Sequence, residues 1–422
     1  METEKIYDVQ SLLRESIIPG YTHHDQNTLD NLIKPFRILK DNKKDNKIII
    51  LTSNVIKDNM IYSNGLYQNI LNFYRMFEAM GYIPLILFDE KPHPDDIKEF
   101  IKTYRYVLPD AVVSSEIPIY SLIEIGMTVQ PELRQFLRNF GTKIIKIFLG
   151  NILNIDLEIS TRMADIDFSH HISGNYDLLL SSPHYKQNIS YAAVINKTPY
   201  KLSKISPYVW SNEILKISLK NNINIKWETN VDWRQRNLVI MEPNLGFQKC
   251  FYVPLLIAAA FARKNPEWKG KIRIYNMQNV RRNKNFENNI YPLLGITREQ
   301  IELLGRFPIT ELLSNNRDAI FIHHQINNEF NYMFFELMSQ GYPLLHNVST
   351  WKNYAYYYST SDKNNMNVSK QLYNILREHH QKLGAYCAQF ECLAWSHSVY
   401  NPVNQKQWET YINNPILDSI YN

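Results

Sequence analysis

The stretch DAIFIHHQINNEFNYMFFELMSQGYPLLHN at 318–347 constrains the fold more than any other part of the chain. An apolar run at 319–322 has the length of a buried strand and stops at the polar His323, His324 and Gln325. A short Asn-rich loop follows, then a helix-forming run at about 330–340, a stop at Gly341 and a second apolar run at 343–345. Strand, loop, helix and strand in that order make one unit of a parallel α/β sheet. Such sheets bind ligands beyond the carboxyl ends of their strands, where the polar residues of this unit fall. The N–H groups of a first helical turn attract anions. Glu336 sits inside the helix among Tyr332, Met333, Phe334, Phe335, Leu337 and Met338. Helix side chains tilt toward the amino end, so its carboxylate is placed to accept two hydrogen bonds from a vicinal diol. A helix end for phosphate and an acid for ribose read as a nucleotide site. The competing reading puts Glu336 on the solvated face of an ordinary α/β helix, the commoner circumstance for such a residue.

At 422 residues the chain exceeds one ordinary domain and suits two α/β domains. A mean hydropathy of −0.35 excludes a polytopic membrane protein. The longest apolar run, at 253–262, is too short to span a bilayer and reads as a buried helix. The first residues are charged and amphipathic rather than apolar, so no signal peptide is expected and the protein is expected in a cytoplasm. Cys250, Cys387 and Cys392 lack metal-ligand spacing and suit a reducing compartment. A net charge of +5, with basic residues scattered apart from 43–47 and 281–284, tolerates anionic ligands without marking a nucleic-acid binder. The abundance of Asn, Lys, Ile and Tyr suits AT-biased coding, as in many large viruses, phages and low-GC bacteria.

Residues 1–45 read as a polar amino-terminal extension. A first Rossmann-like domain is expected over 46–222. It opens with a strand at 48–51, a loop carrying Asn64 and Gly65, a helix at 70–80 closed by Gly81, and a strand at 83–88. Gly65 lets the backbone approach a ligand at the helix start, although the loop is not a G-x-G-x-x-G fingerprint. Further strands are predicted at 111–114, 143–148, 177–181 and 192–195, with a helix at 131–140. The polar stretch 220–236 reads as the linker. A second domain is expected over 223–385. Its strand at 238–241 leads into a turn with Glu242 and Asn244, then a helix at about 247–263 with Lys249 in its first turn. A cation there opposes the helix dipole and suits a bound phosphate. A strand at 272–275 and a helix at 298–304 precede Gly305 and Arg306. Helices in 386–422 are expected to cross back to the first domain.

Several phrases stand in a fixed order: Tyr62-Ser63-Asn64-Gly65 with Gln68-Asn69, Pro207-Tyr208-Val209-Trp210, Met241-Glu242-Pro243-Asn244 with Lys249 and Pro254, Gly305-Arg306-Phe307, His324-Gln325, Asn331-Tyr332, and Gly341 through Asn347 followed by Tyr356-Tyr357-Tyr358. Together, over about 47–411, they resemble DUF2827, a bacterial family regarded as GT-B-like glycosyltransferases. The 318–347 segment also resembles the GT-B donor-site signature, an acid-containing helix followed by Gly-x-Pro. In its E-x7-E form the first acid falls at Asn328, with Glu329 beside it. The resemblance implies a GT-B fold, two Rossmann-like domains facing each other across a cleft. The first would hold the acceptor and the second a nucleotide sugar, with UDP the leading nucleotide. It implies transfer to a glycan or protein acceptor.

Such transfer needs the leaving diphosphate stabilised, which helix ends and cations do without an obligatory metal. Lys249 and Arg306 are the candidate cations. Asn244, His324, Gln325 and the backbone near Asn331 would add hydrogen bonds, with Asn64, Gly65, Glu242 and Asn328 beside them, and Glu336 would hold the ribose. An inverting reaction requires a base in the first domain, for which Asp165, Asp167, His170 and His171 are candidates; a retaining one does not. Asp165-Ile-Asp167 lacks the flanking strand of a metal site. His323, His324 and His346 could be imagined around zinc, but adjacent strand residues face opposite ways. No cofactor beyond the sugar nucleotide and no metal are expected. Rival readings are a glycosyltransferase acting on a flipped DNA base, a UDP-sugar 2-epimerase of the same fold, and an inactive GT-B scaffold. Neither a nucleophile elbow nor a P-loop is found.

Overall fold

The computed structural model describes residues 47–61, 65–115, 119–162, 171–172, 174, 176–218, 224–244, 248–278, 284–326, 328–360 and 365–413. The extension at 1–45 and the candidates Asn64, Asp165, Asp167 and His170 lie outside them. The chain divides into two compact units, Met1–Ser211 with His397–Asn422, and Asn212–Ser396. The division follows Ser211 rather than residue 222, and the chain returns to the first unit at His397 rather than 386.

The first unit holds a parallel sheet of β1 (Ile48–Ser53), β2 (Ile83–Phe88), β3 (Tyr106–Val107), β4 (Ser121–Glu124), β5 (Lys143–Phe148), β6 (Leu178–Ser181) and β7 (Ser203–Ile205) in the order β3-β2-β1-β4-β5-β6-β7. Ile48, Ile50, Leu85, Leu122 and Ile144 pack with Leu133 and Leu137 of the helix Pro131–Asn139. β1 and β2 are buried along nearly their whole length, the near-continuous apolar pattern of strands covered on both faces. On the helix Gly65–Ala79, Phe73 and Phe77 meet the fully buried Trp408 edge-on, at ring separations of 5.2 and 5.1 Å. Trp408 belongs to the last described helix, Pro402–Asn413, which Tyr411 Oη also fastens to the carbonyl of Ile205 at 2.7 Å.

The second unit repeats the plan. Its strands are β8 (Leu238–Ile240), β9 (Ile272–Ile274), β10 (Ile301–Leu303), β11 (Ile320–Ile322), β12 (Leu344–His346) and β13 (Tyr356–Tyr357), all parallel, ordered β10-β9-β8-β11-β12-β13. Leu238, Ile240, Ile320 and Ile322 share a core with the helix Tyr252–Lys264 and with Leu372, Ile375 and Leu376 of the long helix Asn365–Ser396. In both sheets the order turns about the unit's first strand, which makes β1/β4 and β8/β11 the switch points where α/β sheets open to ligands.

Three predicted elements have the wrong type. Residues 111–114 belong to the helix Pro109–Ser115, where Pro109 starts the helix and Asp110 favours its positive end. Residues 192–195 close the helix Ile189–Ile195. The predicted helix at 298–304 is a short 3-10 turn, Arg298–Gln300, running into β10, where Glu302 meets Arg273 of β9 at 2.8 Å. Strand β4 was not foreseen at all. Two residues past its end lies Gly126, where an added Cβ would lie 3.1 Å from both Ser53 Cα and Thr52 O and 3.0 Å from Ile70 Cδ1. Because two of those neighbours are backbone, Gly126→Ala is expected to destabilise the protein by about 1–3 kcal/mol in urea unfolding; an unchanged midpoint would show that this edge relaxes freely.

Candidate functional site

Beyond the carboxyl ends of β8 and β11 a buried polar edge is built from residues that the apolar strands deliver there. Glu242, two residues past β8, is 1% exposed. Its Oε1 contacts His323 Nδ1 and accepts the His324 backbone N–H at 3.0 Å, so one carboxylate ties β8 to β11 across the switch point. Among the described residues its Oε2 has no hydrogen-bond partner, and neither has His323 Nε2. Gln325 and Asn328 are 6% and 7% exposed. Both side-chain polar atoms of Gln325 and Oδ1 of Asn328 are likewise without partners.

Hydrogen bonds tie down several of the described residues around these groups. Asn347 pairs reciprocally with Gln325, its Oδ1 accepting the Gln325 N–H at 2.8 Å and its Nδ2 donating to the Gln325 carbonyl at 2.7 Å. The Ile326 N–H donates to Gln248 O at 2.9 Å. Asn244, at φ +57°, donates to Tyr275 O at 3.1 Å and accepts from the Phe251 N–H at 2.9 Å. Its side chain therefore shapes the loop rather than reaching for a ligand. Asn276, at φ +59°, donates back to Met241 O and Glu242 O at 3.2 and 3.0 Å. Asn fits both positions because its short side chain bonds locally and tolerates the left-handed region.

Lys249 does not sit in a first helical turn: the helix starts at Tyr252, three residues later. Loss of hydration lowers its pKa to about 8 against the opposing pull of Glu242. Arg306 is exposed and follows β10, the edge strand, two strand spacings or about 10 Å from β8. Glu336 lies in the helix Tyr332–Ser339 at 5% exposure, which excludes the solvated face. Asn331 caps that helix, its side chain accepting from the Met333 N–H at 3.1 Å. Glu329 is engaged elsewhere, by the hydroxyls of Ser349 and Thr350. Gly65 opens the helix Gly65–Ala79, and among the described residues nothing lies within 4 Å of where a Cβ would stand. In the first unit His171 meets Asp156, whose second oxygen accepts from Tyr191 Oη at 2.6 Å.

His324 Nδ1 lies 2.7 Å from Tyr358 Oη, which donates to His323 O at 3.2 Å. Burial lowers the pKa of the His324 ring, the nearby Glu242 opposing it. His346 is wholly engaged, with Nδ1 accepting the Val348 N–H at 3.1 Å and Nε2 donating to Tyr354 O at 2.8 Å. No nitrogen of His346 is left for zinc, and the described residues hold no cluster of three metal-ligating side chains. The sequence assigns no site role to Asn347 or Tyr358, and shows His323 only as a strand-end residue and an imagined zinc ligand. His323 directly follows its apolar run, whereas Asn347 comes one residue later, after His346.

A fold of two parallel Rossmann-like units with these strand orders is the GT-B architecture. Similar solved structures include a sucrose-phosphate synthase from Thermosynechococcus elongatus, at 10% identity and TM-score 0.50, covering 86% of this chain and 98% of that one. An alpha-glucosyltransferase in complex with UDP and a 13-mer DNA containing a HMU base matches at 12% identity and TM-score 0.53, over 87% of this chain and all (100%) of that one. A trehalose-6-phosphate synthase matches at 12% and 0.53, over 87% and 99%. The chain belongs to the family DUF2827, described as proteins of unknown function, whose profile matches residues 49–412. No curated protein matches it. Among the described residues no helix is long and apolar enough to cross a membrane.

Burial lowers the pKa of His346 to about 3, from 6.5 in the unfolded chain. Between those values the unfolded state binds the extra proton, so this contribution to stability is intact above pH 6.5 and is lost as pH falls toward 3. Unfolding midpoints should therefore drop with acid across that window. His346→Asn, which keeps an acceptor for Val348, should show a shallower slope despite lower stability at neutral pH.

Proposed function

We propose that this chain is a glycosyltransferase that moves a sugar from a nucleotide-sugar donor, with UDP the leading nucleotide, to a glycan or protein acceptor without a divalent metal. The observation that carries the reading is the set of buried polar atoms without partners among the described residues on Glu242, His323, Gln325 and Asn328, residues that follow the two strands at the switch point of the second unit. Buried polar atoms cost about 1–3 kcal/mol each when unsatisfied, so such a group marks where a polar ligand enters. Lys249 stands beside it as the cation for the diphosphate, coupled to Glu242. Glu336, buried in the following helix, serves the ribose. Arg306, the other candidate cation for the diphosphate, follows the edge strand β10 two strands from β8. The GT-B likeness supports the reading, as does the neighbour described in complex with UDP.

Loss of the Glu336 carboxylate removes two charge-assisted hydrogen bonds. Glu336→Ala should weaken nucleotide binding in calorimetry by roughly 2–4 kcal/mol with the fold intact. Unchanged affinity for both UDP and GDP, whose riboses carry the vicinal diol, would remove the ribose role.

Lys249 neutralises charge that grows on the diphosphate as the sugar bond breaks. Its ammonium is present below a pKa of about 8 and lost above it. The kcat/KM for transfer or donor hydrolysis, which reports the free enzyme, should therefore hold below that pH and fall as pH rises through it. Lys249→Arg should move the fall upward, since guanidinium stays charged. Activity should persist in excess chelator; activity abolished there and restored by magnesium or manganese would overturn the metal-free reading.

A further inference from the structure

We propose that the turn after the helix Ile189–Ile195, in the first unit, docks the protein on an anionic lipid surface through Val194, Lys197, Tyr200 and Lys201, with Ile172 beside them. The docking surface is independent of the sugar-nucleotide reading.

The distribution of charge along the chain points there first. Residues 178–211 carry the lysines Lys186, Lys197, Lys201 and Lys204 and no Asp or Glu. Lys186, Lys197 and Lys201 are exposed. Two acids that border the run are already engaged: Asp156, in contact with His171 and Tyr191, and Asp177, which faces Arg138 at 3.6 Å.

The same surface carries large apolar side chains that the core does not use. The helix Ile189–Ile195 buries Ile189, Ala192 and Ala193, while its Val194 is 76% exposed. Tyr200 is 65% exposed and Ile172 66%. Asn196, the residue after the helix, donates from Nδ2 to His171 O at 2.9 Å and accepts the Gly174 N–H on Oδ1 at 3.0 Å, so Ile172 is held at the end of that helix. Exposed apolar residues scattered singly need no explanation, but three large ones gathered at one helix end among lysines have the composition of an interaction surface.

Lys197 carries a cost that folding does not require. The helix closes in a Schellman arrangement, with the Lys197 N–H on Val194 O at 3.2 Å and the Thr198 N–H on Ala193 O at 3.0 Å. This puts Lys197 in the left-handed region at φ +50°, the place that glycine fills with least strain. A lysine held there against the preference of its backbone is what a used charge looks like.

Anionic lipid answers both halves of this surface. Lysine ammonium groups meet headgroup phosphates while their stems lie along apolar neighbours. Val194 and Ile172 gain only where hydrocarbon is within reach, which a nucleic-acid backbone lacks. Tyr200 brings a ring with a hydroxyl at its tip, suited to the boundary between the two. Residues 196–202 lead into the amino end of β7, so lipid bound there lies at the end of that strand opposite to the carboxyl end, where α/β sheets take ligands.

Sedimentation of the full chain with vesicles tests the assignment. Vesicles of about three parts phosphatidylcholine to one part phosphatidylglycerol should carry the protein down, and phosphatidylcholine alone should not. Lys197→Glu combined with Lys201→Glu should weaken binding roughly tenfold or more, and so should Val194→Ser combined with Tyr200→Ser, which leaves the charge unchanged. Lys197→Gly separates docking from folding. It should raise the urea midpoint by relieving the backbone while lowering vesicle affinity severalfold, a pair of effects that a purely structural role for this turn does not give. Failure to bind the phosphatidylglycerol vesicles at low salt would overturn the proposal. So would binding that survives Val194→Ser with Tyr200→Ser and is matched by a DNA duplex or polyglutamate, because the surface would then be a site for polyanions at large.

Discussion

The second unit is organised around one buried carboxylate. Placing a charge where Glu242 lies costs several kcal/mol unless partners replace its lost water. The His323 ring and the His324 N–H do so on one oxygen, and both come from the residues just past the neighbouring strand β11. The pairing thus fixes the splay of β8 and β11 at the place where the sheet order turns. Asn244 and Asn276 then lace the ends of β8 and β9, and Asn347 laces β11 to β12. Four strand ends are set by side chains that imitate backbone, and the remaining oxygen of Glu242 is held in place with nothing to bind.

The first unit meets the same problem differently. Glu124 also ends a strand at a switch point and is fully buried. There one oxygen accepts from the Val129 N–H at 3.1 Å and faces Arg134 Nε at 3.2 Å, and the other accepts from Tyr176 Oη at 2.8 Å with Lys146 Nζ at 3.6 Å. Burial lowers the pKa of Lys146, Glu124 opposing it, and its ammonium also donates to Thr128 Oγ1 at 2.7 Å. Such an acid is a closed structural knot. The contrast between Glu124, enclosed by its own chain, and Glu242, with one oxygen unengaged, is the strongest physical reason to look for the ligand on the second sheet.

Much of this was legible in the sequence where elements are long or strongly patterned. The run at 318–347 shows its strand, helix and second strand, and Glu336 is surrounded by apolar residues on both sides, as its burial requires. Strands of two or three residues, such as β3, β10 and β13, are too short to display a period. Pro109 and Asp110 announced a helix start, but the apolar residues after them looked equally like a strand. The site was harder to see because its defining contacts join distant segments. Glu242 stood out as a residue after a strand, yet its engagement by His323 depends on β8 and β11 lying side by side, a fact of sheet order. Asn244 shows the opposite error: an amide in the right loop, occupied in holding that loop.

Trp408 has a consequence for the order in which the protein comes into being. The cavity between Phe73 and Phe77 is filled by a ring from the far end of the chain, reached only after all of Asn212–Ser396 has been made. Domains of a growing chain ordinarily fold as units, the amino-terminal one first. Here the unit that begins first cannot be finished first. On the ribosome the inserted unit has its full complement of core residues while the outer one still waits for its plug, so the buried polar edge around Glu242 can be assembled before the unit that encloses it in sequence is complete.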